Sequence, residues 1–147
     1  MITSVKIKKL NDLAVIPTRG SEQAAGYDLH AAVEGIIDIA PHSTIKIPTG
    51  LSCEFPKGMF GAIVARSGLA TKKGLRPANC IGIIDSDYRG EIIVALHNDT
   101  DEMQSIEPME RIAQLILIPY VEMMFCTVDT LSETGRGEGG FASTGRF

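Results

Sequence analysis

Short apolar runs, each closed by Gly, Pro, Asn or Asp, constrain this chain more than any other feature. Val5–Leu10 and Thr44–Pro48 alternate apolar and polar residues. Leu51–Phe55, Met59–Val64, Ile81–Ile84, Glu91–His97, Ala113–Pro119 and Glu122–Val128 are β-branched or alternating. A period of two sends successive side chains to opposite faces of a strand, and these runs are too short for ordinary amphipathic helices. Many short strands with turn signals between them predict an all-β fold: a sandwich, jelly roll or barrel. One helix is predicted, Ser67–Lys73, with Ser67 as N-cap and Gly74 as its stop. No segment repeats at a fixed period.

The length of 147 residues suits one domain. A net charge of -4 is not the footprint of a general nucleic-acid binder, so a polyanionic ligand would need a local cluster of arginines. No apolar run approaches the ~18 residues of a membrane helix. Met1–Leu10 carries lysines but no apolar core, so no secretory signal is expected. The expected location is the cytoplasm, with nucleus or organelle open for a eukaryotic source. Cys53, Cys80 and Cys126 fit neither zinc spacing nor a disulfide framework and read as reduced thiols. Asn98-Asp99-Thr100 fits a glycosylation sequon, but nothing suggests secretion. His30, His42 and His97 show no ligand spacing.

The segment from Thr130 to Phe147 differs from the rest. It is rich in glycine, and its large apolar groups are Leu131, Phe141 and Phe147. Such a tail cannot fold alone, and fully extended it spans roughly 60 Å. We therefore divide the chain into a β domain, 1–129, and a flexible C-terminal tail, 130–147. Arg136 can fork onto phosphate oxygens, glycines admit close backbone approach, and Phe141 can stack on a base. A disordered terminus is the ordinary alternative. Gly135, Gly137 and Gly140 match G-x-G-x-x-G, but no strand-to-helix unit surrounds them.

Four more segments carry chemistry. Ile83-Ile84-Asp85-Ser86-Asp87-Tyr88-Arg89-Gly90-Glu91 reads as a hairpin with carboxylates at its mouth, and a carboxylate there can hold and deprotonate a water. Arg66-Ser67-Gly68 falls at a strand exit and helix start, a natural anion site. Ala25-Gly26-Tyr27-Asp28-Leu29 is a small-residue turn before a strand, and Asp28 could face a hydrated cation. Glu110-Arg111-Ile112-Ala113-Gln114-Leu115 enters a buried strand with an amide at Gln114 that needs a partner. Each has an ordinary structural reading as a turn, a cap or a satisfied strand polar.

Their joint occurrence in chain order, with Ala25–Leu29 first, Pro56–Gly68 second, Gly82–Gly90 third, Arg111–Leu115 fourth and Arg136–Gly145 fifth, resembles the homotrimeric dUTP pyrophosphatases, whose five motifs are all matched between about residues 24 and 145. The resemblance implies a jelly-roll-like β-barrel and three active sites, each built from three chains. The tail would close over a neighbour's ligand. It implies Mg²⁺ as cofactor and hydrolysis of dUTP to dUMP and pyrophosphate, which keeps uracil out of DNA and supplies dUMP for thymidylate synthesis. By the same resemblance, Asp85 holds the attacking water and touches the sugar 3′-OH, and Tyr88 excludes a 2′-OH. Asn79 and the backbone around Gly82 read the uracil edge. Arg66, Ser67 and Gly68 bind the phosphates, with Gln114 close by. Asp28 reaches the magnesium through water, Arg136, Ser143 and Thr144 grip the terminal phosphates, and Phe141 covers the base. Three positions depart from the pattern: Ala142 stands where a glycine is usual, and Met109-Glu110 replaces Gly-Asp before Arg111. The alternatives are a dCTP deaminase of the same fold, whose catalytic glutamate would fall near Ala95, and a non-catalytic nucleotide-binding trimer.

Overall fold

A computed structural model describes residues 3–140. Among them are β1 (Lys6–Lys9), β2 (Thr18–Arg19), β3 (Tyr27–His30), β4 (Ile37–Ile39), β5 (Thr44–Pro48), β6 (Leu51–Glu54) and β7 (Met59–Val64). Helix α1 (Ser67–Lys73) follows, then β8 (Leu75–Pro77), β9 (Gly82–Ile84), β10 (Ile93–Asn98), β11 (Gln104–Ile106) and β12 (Arg111–Pro119). The largest sheet has the order β2-β3-β12-β7-β9, and the second is β5-β10-β8. Two ladders, β1-β6 and β4-β11, complete the fold. Every pairing is antiparallel. The architecture is all-β and jelly-roll-like as expected. Among the described residues no sheet closes on itself into a barrel.

Alternation builds the core. In β10 the burial pattern alternates, with Val94, Leu96 and Asn98 inside. Leu29, Ile47, Leu51, Leu75, Ile92, Leu96, Ile106 and Ile112 are fully enclosed, each worth about 1.5–3 kcal/mol of burial. Asn98 is the polar exception. Its amide nitrogen donates to the carbonyls of Ile39 (2.9 Å), Ala40 (3.3 Å) and Glu102 (2.8 Å), and its oxygen accepts from the amide and hydroxyl of Thr100. The sequon asparagine is thus a buried hub joining β10 to the end of β4.

Cys53 is buried in β6, while Cys80 and Cys126 are exposed. Burial pushes the Cys53 thiol up to about 11, so almost none of it is thiolate at pH 8. A thiol–disulfide reagent at pH 8 should label Cys80 in the native protein and Cys53 only after denaturant is added, read by peptide mass spectrometry. Equal labelling rates would contradict the packing around β6.

Three expectations need correction. Glu122–Val128 forms no strand and is exposed throughout. β12 ends at Pro119, and among the described residues no strand pairs with this alternating run. In α1 the cap position belongs to Arg66, with extended backbone and no side-chain cap bond, and Ser67 is the first helical residue. The first helical hydrogen bond runs from the Ala70 amide to the Arg66 carbonyl, which leaves the Ser67 hydroxyl free of capping. Asp28, read as part of a turn, lies inside β3. Gly74 does stop α1, in the left-handed region at φ 63°.

Candidate active site

The Asp85 hairpin is held at its base. The Ile92 amide donates to the Leu51 carbonyl (2.7 Å), the Thr49 hydroxyl to the Ile92 carbonyl (2.6 Å) and the Ser52 hydroxyl to the Arg89 carbonyl (2.8 Å). The Glu91 carboxylate accepts from the Gly50 amide (2.7 Å). At the tip, the Tyr88 amide closes a turn on the Asp85 carbonyl (3.1 Å), and Arg89 Nη1 bridges the carbonyls of Ser86 and Tyr88. Asp85 is left exposed on a rigid support. Tyr88 folds back so that its hydroxyl donates to the Glu91 carbonyl (3.1 Å), and its ring takes the space a Cβ on Gly90 would need. A side chain at position 90 would drive that ring outward.

Beside the hairpin, β9 pairs with β7 on one side only. Among the described residues, its other edge carries backbone N–H and C=O groups with no strand partner. That edge faces a shallow cleft of about 50 Å³ lined by Pro77, Asn79, Gly82, Ile83 and Ala95, among others. A Cβ on Gly82 would approach the Ile63 Cβ to 3.1 Å and the Asn79 amide nitrogen to 3.3 Å, so glycine lets the asparagine sit against the strand. A free strand edge plus one side-chain amide can read the donor and acceptor pattern of a heterocycle. Outside Asp85 lies a broad open groove bordered by Glu54, Lys57, Asp87, Arg89 and Tyr120.

A second cluster gathers on β3, β12 and the end of β7. The Asp28 carboxylate is buried, and three donors reach it: Arg66 Nε (3.2 Å), Gln114 Nε2 (3.2 Å) and Arg111 Nη1 (3.1 Å). Arg66 Nη1 also donates to the Arg111 carbonyl (3.2 Å). Gly26 is needed here, since a Cβ on it would meet the Gln114 side chain at 3.0–3.2 Å. Ser67 and Gly68 are exposed beside Arg66. The pair Arg111 and Gln114 depends on an irregularity. Arg111 faces His30 and Gln114 faces Asp28, with a register shift between Arg111 and Ala113. The extra residue reverses the parity of β12, so two side chains three positions apart share one face. Sequence reading left Arg111 without a role; strand periodicity puts it on the opposite face from Gln114. His30 lies beside this cluster, and burial holds its pKa below the ordinary histidine value, with Asp28 opposing and the two arginines assisting.

The structure does not unite these two clusters within one chain. Ile84 stands opposite Gly61 of β7 and Gly82 opposite Ile63, so Asp85 follows toward Phe60. Arg66 lies beyond Val64, the other end of β7. Six residues of strand separate the two positions by roughly 20 Å at ~3.3 Å per residue. Arg136 is exposed, its Nε donating to the Gly139 carbonyl (2.7 Å). Phe141, Ser143 and Thr144 lie outside the described residues.

The comparisons with known proteins agree on one answer. The dUTPase family model matches residues 12–145, from ahead of β2 into the tail. This chain belongs to the dUTPase family. It is 45% identical to the deoxyuridine 5′-triphosphate nucleotidohydrolase of Desulfitobacterium hafniense, over 98% of this chain and 99% of the relative. It is 48% identical to the enzyme of that name from Nautilia profundicola, over 97% and 99%. The Staphylococcus bacteriophage 80alpha dUTPase, solved as a mutant with dUpNHpp, superposes with a TM-score of 0.88 at 27% identity, over 98% of this chain and 99% of that one. In dUTPase terms, the third motif makes the hairpin and cleft, and the first, second and fourth make the Asp28 cluster.

Among the described residues no three His, Cys, Asp or Glu side chains converge as a metal site. Mg²⁺ in phosphate chemistry is commonly held by one or two carboxylates and the substrate's own phosphates, so this dUTPase needs no such cage. Asp28 Oδ1 accepts two hydrogen bonds and Oδ2 one. One acceptor site is therefore open on Oδ2, room for a single contact with a hydrated ion through water.

Proposed function

We propose that this chain hydrolyses dUTP to dUMP and pyrophosphate, in sites assembled from three copies. The observation that carries the reading is the cleft. A free strand edge and the Asn79 amide face it, and the exposed Asp85 follows Ile84, which lines it. Uracil offers alternating acceptors and a donor on one edge, a pattern such backbone can match. Cytosine reverses part of it and would leave desolvated groups unpaired, the mismatch that discriminates most strongly. Tyr88, folded against Gly90, lies where a ribose 2′-OH would need space. A 5-methyl would press on the hairpin backbone.

Asp85 holds a water for in-line attack on the α-phosphorus and takes its proton as the bond to oxygen forms, and pyrophosphate leaves. Arg66, with the exposed Ser67 and Gly68, offsets charge on the phosphate oxygens. With seven residues, α1 contributes little dipole, and the arginine carries most of that effect. Bound magnesium supplies further charge neutralisation on the phosphates, and Asp28 is the residue that would touch it through water. Reaction requires the water, the phosphorus and the neutralising groups within a few ångström of one another. One chain holds Asp85 and Arg66 roughly 20 Å apart along β7, so the site draws them from different copies. The tail, 130–147, reaches a neighbour, where Arg136, Ser143 and Thr144 hold the terminal phosphates and Phe141 covers the base above the shallow cleft.

Incubation with Mg²⁺ and, separately, dUTP, dCTP, dTTP and UTP should release pyrophosphate from dUTP alone. Ammonia from dCTP would place the chain with the deaminases, and no product from any nucleotide would leave a binding role.

A further inference from the structure

The Asp28 carboxylate has more invested in protein than a hydrated ion needs. It is buried, and three of its four acceptor positions are taken, two by donors from β12 and one by Arg66 from the β7–α1 junction. We infer that Asp28 is a positioning residue that presets an anion cradle of Arg66, Arg111 and Gln114, and that Arg111 is a second phosphate-binding arginine. This rests on the reading that Arg66 and Gln114 meet the triphosphate.

The geometry is specific. Arg66 spends Nε on Asp28 and one Nη1 hydrogen on the Arg111 carbonyl. The guanidinium plane is thereby fixed, and its Nη2 donors stay unused. Gln114 spends one amide hydrogen on Asp28 and keeps the other. Arg111 spends one Nη1 hydrogen and keeps the rest, with its side chain about half exposed (52%). Two guanidiniums against one carboxylate leave the cluster with a surplus positive charge in a chain of net charge -4. The bulge in β12 serves this arrangement, because without it Arg111 would leave the face that Asp28 occupies. Free arginines would have to lose side-chain entropy when a phosphate binds. Arginines already fixed by Asp28 lose less, so the carboxylate, though itself negative, strengthens anion binding.

The test uses tripolyphosphate, an anion with no nucleoside, and deoxyuridine, a nucleoside with no phosphate, on the full chain. Binding is measured in EDTA and again with Mg²⁺, beside dUTP kinetics. Asp28→Asn should weaken tripolyphosphate about tenfold or more in EDTA, raise KM for dUTP, and leave deoxyuridine affinity unchanged. Arg111→Ala, a change at an exposed side chain, should weaken tripolyphosphate several-fold and likewise spare deoxyuridine. Wild-type tripolyphosphate affinity in either variant would overturn the inference while dUTP hydrolysis by the parent chain stands. A loss in Asp28→Asn seen only with Mg²⁺ would assign the carboxylate to the metal instead, and an equal loss of deoxyuridine would make it structural. A parent chain that neither binds tripolyphosphate nor hydrolyses dUTP would remove the functional reading and this inference with it.

Discussion

Asp85→Asn should lower kcat for dUTP by about 10²–10⁴-fold, the usual share of a general base, with KM little changed. The reason is local. Asp85 is exposed at the end of β9 and makes no side-chain hydrogen bond among the described residues, so an isosteric amide disturbs no fold contact. What it removes is the acceptor that takes the water's proton. Binding of a non-hydrolysable dUTP analogue should survive, because the strand edge, Asn79 and Tyr88 are untouched. Turnover near that of the parent would exclude Asp85 as the base. Loss of analogue binding together with turnover would instead make it a ligand of the sugar.

The second large effect concerns assembly. Asp85→Asn and Arg66→Ala should each be nearly inactive alone. Unfolded together in equal amounts and refolded, they should recover about a quarter of parental activity, since a random mixture gives that fraction of sites an intact Asp85 from one copy and an intact Arg66 from another. The argument is the separation along β7: Asp85 stands toward Phe60, and Arg66 beyond Val64. No loop movement within one chain brings these ends together without dismantling β7, an interior strand of a five-stranded sheet. Differently tagged chains would confirm mixing by mass. Mixed assemblies without activity would place both residues in the same site of a single chain.

Much of this was legible in the residues, for identifiable reasons. β5, β7 and α1 lie within the bounds their patterns predict, because alternation and a terminal glycine are local signals. The hairpin was readable for the same reason: turn formers separate two apolar runs. The strands β2, β4, β8 and β11 have two or three residues each, and a period cannot be established over so few. Glu122–Val128 shows the converse error. Alternation states what a strand would bury and says nothing of whether an edge is available. The Asp28 cluster was only partly visible. Asp28 and Gln114 were singled out, but Arg111 was not, because the bulge that turns it toward Asp28 is a property of two strands in register and leaves no mark on either alone.

The buried amide of Asn98 carries a consequence for how this chain can be produced. Its five hydrogen bonds consume the side chain in the folded protein, but the Asn98-Asp99-Thr100 sequon is read by the glycosylation machinery while a nascent chain is still unfolded. Routed through the secretory pathway of a eukaryotic host, a chain that received a glycan there could not bury Asn98 beneath β4 and would be retained or degraded. Cytosolic expression avoids the conflict, and so would replacing Thr100 by a residue the sequon excludes, at the loss of the hydrogen bond that the threonine hydroxyl gives to Asn98.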